Sequence, residues 1–243
     1  MTQSIMTATG LCRRFGGLVA VDGVDMAIAP GTLVGLLGPN GAGKTTTLRM
    51  LAGLMEPTSG SVAYGQYSMA THPLAAKQSL GYLADQPMMV PLLTGWEYIL
   101  FVGGLYGLSA EVVSSRAEPL VRRFQLHDAI HRRCDGYSHG MQQKLALVAQ
   151  LVHEPLLLLA DEPTVGLDPA SALALQEVFR TYCAQGHSIL LSTHLLDMAQ
   201  RLCGRVLIMH RGRIVWDGAP GDLLTDGEQT LEAVFLQLTE EGS

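Results

Sequence analysis

Residues 38–46 read Gly38-Pro-Asn-Gly-Ala-Gly-Lys-Thr-Thr46. The spacing satisfies G-x-x-x-x-G-K-S/T through Gly38, Gly43, Lys44 and Thr45. Gly41 and Gly43 let the backbone curl into a nest of N–H groups, where a side chain would collide with a bound phosphate. Pro39, Asn40 and Ala42 complete the turn. A helix starting at Gly43 aims its positive dipole end at the same anion. Lys44 is placed to reach the outer phosphates, and Thr45, with Thr46 beside it, offers a hydroxyl to Mg²⁺. The flanks agree. Thr32 to Leu37 reads as a buried strand, and Lys44 to Leu54 carries apolar residues at helical spacing.

Outward from the loop, short apolar runs alternate with helical patterns. Ser61–Tyr64, Leu80–Leu83, Leu156–Ala160, Ser188–Ser192 and Val206–Met209 read as strands, and Ala170–Ala184 and Leu195–Leu202 as helices. This rhythm predicts right-handed βαβ crossovers and an α/β fold with a mostly parallel core sheet. The first thirty or so residues alternate apolar and polar types, as expected of an antiparallel β edge. From 88 to 153 helical patterns dominate. The expected organisation is a core of residues 1–87 and 154–243 with a helical subdomain, 88–153, inserted between strands.

A phosphate-bound Mg²⁺ needs a carboxylate at a neighbouring strand end. Leu156-Leu-Leu-Leu-Ala-Asp-Glu162 runs an apolar strand directly into two acids. Adjacent residues of a strand point to opposite sides. Asp161 is therefore assigned to the metal and Glu162 to the attacking water, as base or positioner.

Cys134-Asp-Gly-Tyr-Ser-His-Gly140 contains G-x-S-x-G, the turn that presents a nucleophilic serine in some hydrolases. That turn needs a strand leading into it. Ile130-His-Arg-Arg-Cys-Asp135 is too polar to be one, whereas Met141 to Val152 has helical spacing. Ser138 therefore opens a helix from a polar loop, and a serine-capped helix start beside glycine is an anion site. His127 and His131, four apart, invite comparison with a zinc motif, but no third ligand is evident and a polar helix face is the simpler reading.

Composition narrows the field. The chain has 243 residues, 48% of them hydrophobic and 16% charged. Mean hydropathy is +0.23. No apolar run reaches the ~20 residues of a membrane helix. The N-terminal ten residues lack the features of a signal peptide, so a cytoplasmic protein is expected. A net charge of −6 argues against nucleic acid as a partner. Cys12, Cys134, Cys183 and Cys203 lack C-x-x-C spacing and read as free thiols.

Taken in order, these motifs resemble the nucleotide-binding subunit of ABC transporters. Residues 38–46 look like its Walker A motif, Tyr137–Met141 its LSGGQ signature, Leu156–Glu162 its Walker B with catalytic glutamate. Val165–Asp168 resembles the D-loop, His194 the switch histidine, and Phe15 the aromatic that stacks on adenine. Tyr137, His139 and Met141 depart from the usual signature. Asp85 stands where the Q-loop usually has Gln, with Gln86 next to it, and Gly204 replaces a usual Asp.

The resemblance implies a P-loop NTPase of ABC type using ATP and Mg²⁺. It implies a head-to-tail dimer in which Ser138 and Gly140 touch the γ-phosphate held by the other copy, while His194 holds that phosphate and Asp168 signals across the interface. A homodimer and a pairing with a related ATPase both satisfy this scheme. It further implies a separate integral membrane permease and a peripheral position on the cytoplasmic face of the membrane. The expected function is ATP hydrolysis that powers a transporter, with the motif variants pointing to exporters whose ATPase and permease are separate chains. The alternatives are a non-transport ABC-type ATPase acting as a mechanical module and a serine hydrolase using Ser138.

Overall fold

The computed structural model describes residues 4–223 and Phe235. In chain order the elements are β1 (Met6–Phe15), β2 (Leu18–Ile28), β3 (Leu33–Leu37), α1 (Lys44–Leu51), β4 (Ser59–Tyr64), β5 (Tyr67–Ser68), α2 (Pro73–Gln78) and β6 (Leu80–Leu83). Next come α3 (Gly95–Leu105), α4 (Ala110–Arg123) and α5 (His139–Leu151). The chain returns through β7 (Leu157–Asp161), α6 (Pro169–Ala184), β8 (Ser188–Thr193), α7 (Leu196–Leu202), β9 (Arg205–His210) and β10 (Arg213–Gly218).

Two sheets result. A six-stranded sheet has the order β10-β9-β3-β8-β7-β6, parallel except for the β9–β10 hairpin. Every residue of β3, β7 and β8 is buried. Their side chains divide between two cores. Leu158, Ala160, Ile189 and Leu191 pack on the side of α3–α6, and Leu157, Leu159 and Leu190 on the side of α1 and the second sheet. Each such buried leucine contributes about 1.5–3 kcal/mol of transfer free energy, which is why these strands read as continuous apolar runs.

The antiparallel part expected at an edge forms a sheet of its own, ordered β2-β1-β4-β5. Its inward residues, among them Met6, Ala8, Leu11, Val24 and Met26, cover the α1 side of the parallel sheet. Alternation in β1 and β2 shows that one face is buried without saying which strands pair.

Several expected boundaries move. The helix after the glycine loop stops at Leu51 rather than Leu54, because Gly53 adopts φ 62° and turns the chain out of helical register. The strand expected over Leu156–Ala160 is Leu157–Asp161. Leu156 is 52% exposed, and pairing with β8 begins at Leu157 opposite Ser188. The sequence pattern gave no sign of β5, α2 or β10, which are short or half-exposed.

The parallel topology positions the site. β3, β8 and β7 are neighbours, and the glycine loop, His194 and Glu162 each follow the C-terminal end of one of them. In open α/β sheets ligands collect outside those ends.

Candidate nucleotide site

The glycine loop wraps the start of α1. Gly43 is the N-cap at φ 105°, and no side chain caps the helix. A Cβ at Gly43 would lie 2.5 Å from the carbonyl oxygen of Ala20 in β2, so glycine is required for space as well as conformation. Lys44 is 7% exposed. Its Nζ donates to the loop's own carbonyls, Gly38 at 2.7 Å and Pro39 at 3.2 Å. Burial pulls the Lys44 pKa down, opposed by the Glu162 and Asp161 carboxylates. The ammonium therefore sits desolvated between those acids and a loop able to take an anion.

Asp161 ends β7 fully buried. Ser192, opposite it on β8, donates its hydroxyl to Asp161 Oδ1 at 2.5 Å. The other oxygen, Oδ2, is buried and has no hydrogen-bond partner. An orphaned carboxylate oxygen at that depth is costly unless something else satisfies it, and a divalent cation shared with the Thr45 hydroxyl fits that chemistry.

Glu162 does not extend the strand, as simple alternation supposed. It lies beyond β7 at φ 45°, a left-handed conformation that is strained for a glutamate. Its N–H donates to the Ser192 hydroxyl at 3.1 Å, and its Oε2 meets His194 Nδ1 at 3.0 Å. This turn leads the carboxylate to His194.

Most of the sequence-derived residues converge. Asn40, Gly41, Ala42, Gly43, Lys44, Thr45 and Thr46 line a cleft of about 420 Å³ together with Phe15, Leu18, Asp85 and Glu162. A larger cleft of about 570 Å³ lies between Trp96, Arg122 and His131 in the helical block, away from the glycine loop. Of the two, only the smaller one holds the glycine loop, the lysine and an acid together.

Ser138, Gly140 and Asp168 are not part of that cleft. Ser138 N-caps α5, accepting from Met141 N–H at 3.3 Å. A Cβ on Gly140 would lie 2.5 Å from the Gly166 carbonyl oxygen, so the serine turn and the loop before α6 pack with no room for a side chain. Asp168 N-caps α6. Its oxygens accept from Ser171 Oγ at 2.6 Å and Ser171 N–H at 2.9 Å, and those bonds hold its pKa down. Lys144 Nζ approaches the same carboxylate at 4.0 Å. Asp85 and Gln86 part company: Asp85 lines the phosphate cleft, while Gln86 shares a cleft with His139 and Gln142 beside the serine turn.

The unusual signature residues have local explanations. Tyr137 is buried, and its hydroxyl donates to the Ala129 carbonyl at 2.7 Å, tying the turn to the preceding loop. The His139 ring packs on Gly166. Arg205, after Gly204, pairs instead with Asp217, at 2.6 and 2.7 Å. No group of three or more His, Cys, Asp or Glu side chains among the described residues suits a metal, His127 and His131 included. Sequence reading missed Ser192, whose only signal was a hydroxyl directly after the apolar run Ile189–Leu191 and before Thr193-His194. It also missed Lys144 and Arg13.

A family model described as ABC transporter matches residues 21–165. The chain is similar to the ABC transporter ATP-binding protein NatA of Bacillus subtilis, 35% identical over 238 residues, covering 96% of this chain and 97% of that protein. It is 36% identical to the daunorubicin/doxorubicin resistance ATP-binding protein DrrA of Streptomyces peucetius, covering 91% of this chain and 67% of that one. A solved structure described as an ATP binding subunit of an ABC transporter superposes with TM-score 0.91 at 32% identity, covering 97% of this chain and 99% of that chain.

Proposed function

The chain belongs to the ABC transporter family, whose ATP-binding subunits hydrolyse ATP to power transport, and from that premise we propose how its residues divide the work. The adenine stacks on Phe15. The triphosphate lies along residues 38–46, with Lys44 leaving its loop carbonyls for the phosphates. Thr45 and Asp161 would hold Mg²⁺, which when bound would supply charge neutralisation for the phosphoryl transfer. Glu162 polarises the attacking water. His194 steadies Glu162 and contacts the γ-phosphate, and Asp85 borders the same space.

The serine turn completes a second copy's site. Ser138 has one hydroxyl proton, and because its oxygen accepts from Met141 N–H, that proton is left to donate outward. With Gly140 N–H it would seal the γ-phosphate of a neighbouring copy, while Asp168 reports across the interface. Residues 88–153 form the helical arm that carries this turn. Closure then requires the phosphates, and hydrolysis removes the shared anion and lets the copies part.

Among the described residues no helix is long and apolar enough to cross a membrane. The roles printed for relatives as ATP-binding proteins of transporters support a separate integral membrane permease as partner, with this subunit docked peripherally on the cytoplasmic face. The names of relatives such as the drug-resistance protein favour export. The second reading, a non-transport mechanical ATPase, is distinguished by failure to co-purify with an integral membrane protein.

The convergence of Phe15, Lys44, Thr45, Asp85 and Glu162 on one cleft carries the proposal. Glu162→Gln tests it. Turnover should fall by about 100-fold or more, with MgATP binding retained and a dimer accumulating in size-exclusion chromatography. Normal phosphate release by that variant would refute the assignment.

A further inference from the structure

Nothing in the scheme above uses Arg13. It lies two residues before Phe15 on β1, next to an irregularity in the β1–β2 pairing between Arg13 and Arg14. The guanidinium carbon sits 4.7 Å from the Phe15 ring centroid, within cation–π range. Nη1 donates to the Glu56 carbonyl at 2.8 Å, which anchors the group to the segment between α1 and β4. Nε is buried without a hydrogen-bond partner. Phe15 itself is 43% exposed and borders the phosphate cleft, whereas Arg13 does not. The ring thus carries a cation on one face and also borders the cleft.

We propose that Arg13 is a positioning residue for the base of the nucleotide: it braces one face of Phe15 and makes the other face of the ring a better platform for a purine. This rests on reading the cleft as the nucleotide seat and extends it by assigning a residue and a mechanism at the base end. Two physical effects combine. Phe15 ends β1 beside Gly16-Gly17, where an unbraced ring would be free to swing. Holding it in place lowers the ordering cost of binding. A cation on one face also draws π density toward itself. The opposite face becomes less negative, which eases parallel stacking that ring quadrupoles otherwise oppose. Neither effect reaches the phosphates, so Arg13 contributes to recognition of a purine nucleotide and not of its phosphate chain alone.

The test compares MgATP with inorganic tripolyphosphate, which has no base. Arg13→Ala is expected to raise the KM and the dissociation constant for MgATP by about two- to fivefold, the size of an exposed cation–π contact. The kcat and the inhibition constant of tripolyphosphate should not move. Arg13→Met, which keeps an apolar stem without charge, should show the same shift, and Arg13→Lys should recover most of the loss. In a Phe15→Ala background, Arg13→Ala should add nothing. An unchanged KM in Arg13→Ala would overturn the proposal. So would an equal shift in the Phe15→Ala background, or a parallel change in tripolyphosphate inhibition. If Phe15→Ala by itself leaves ATP binding intact while Arg13→Ala weakens it, the base does not sit on this ring and the nucleotide seat must be redrawn.

Discussion

The starts of α1 and α5 are both glycine-bearing helix N-termini, yet they are finished in opposite ways. At α1 the N-cap is Gly43, no side chain satisfies the first turn, and the nearest cation, Lys44, is buried against the loop's own carbonyls. At α5 the N-cap is Ser138, whose hydroxyl already accepts from Met141 N–H, and the turn is packed against Gly166. The first leaves backbone donors unsatisfied and surrounds them with the cation and acids of phosphate chemistry. The second is complete by itself and keeps only an outward hydroxyl proton and a glycine N–H to offer. The difference suits the proposed roles. A loop that binds ATP within its own chain gains its missing partners on binding. A turn that meets phosphate only when a second copy arrives must hold its shape alone in the meantime.

The sharpest challenge to this contrast is Lys44→Ala. It should abolish measurable ATP turnover, a loss of at least about 100-fold in phosphate release. Activity within a few-fold of the parent would mean that the uncapped start is not the phosphate seat.

Ser138→Ala comes next. Loss of the cap should cost about 0.5–2 kcal/mol, seen as a drop of a few degrees in melting temperature, and turnover should fall about 10- to 100-fold. Chains carrying Lys44→Ala mixed with chains carrying Ser138→Ala should recover turnover that neither shows alone, because one of the two composite sites is then intact. No recovery on mixing would break the proposal that the two helix starts meet in trans.

The smallest effect lies at the far end of α5. His153 stacks on Tyr106 at 3.5 Å between ring centroids, and its Nε2 meets the Leu80 carbonyl at 3.3 Å. A helix C-terminus favours a positive charge, but burial outweighs it and pushes the His153 pKa down from 6.5 to about 4. The unfolded chain therefore binds the proton more readily than the folded one. Stability is full above pH 6.5, declines as pH falls from 6.5 to about 4, and levels off below. His153→Gln should flatten that decline, so that the parent loses roughly 2–4 °C more melting temperature than the variant between about pH 7 and 5. Parallel curves for the two proteins would remove His153 from the account.

Much of the molecule was legible beforehand for identifiable reasons. β3, β7 and β8 are buried on both faces and so spell continuous apolar runs. The glycine loop has a spacing imposed by phosphate geometry and little freedom to vary. The outlying sheet was harder: Val19 to Ile28 shows alternation, but pairing of β1 with β4 rather than with the core depends on contacts more than thirty residues apart. Leu156 illustrates a narrower limit, since an exposed leucine next to buried ones looks no different in sequence.

The amino-acid order by itself determined the α/β class and the family and marked out the glycine loop and the acid pair as candidates, because each is a local pattern whose chemistry demands particular residues at short spacing. Only the tertiary structure decided that Ser192 holds Asp161, that a left-handed turn sends Glu162 to His194, that Asp85 rather than Gln86 faces the cleft, and that Arg13 lies against the Phe15 ring. These depend on strand register and on where loops land after distant segments pack, and no short-range pattern encodes either.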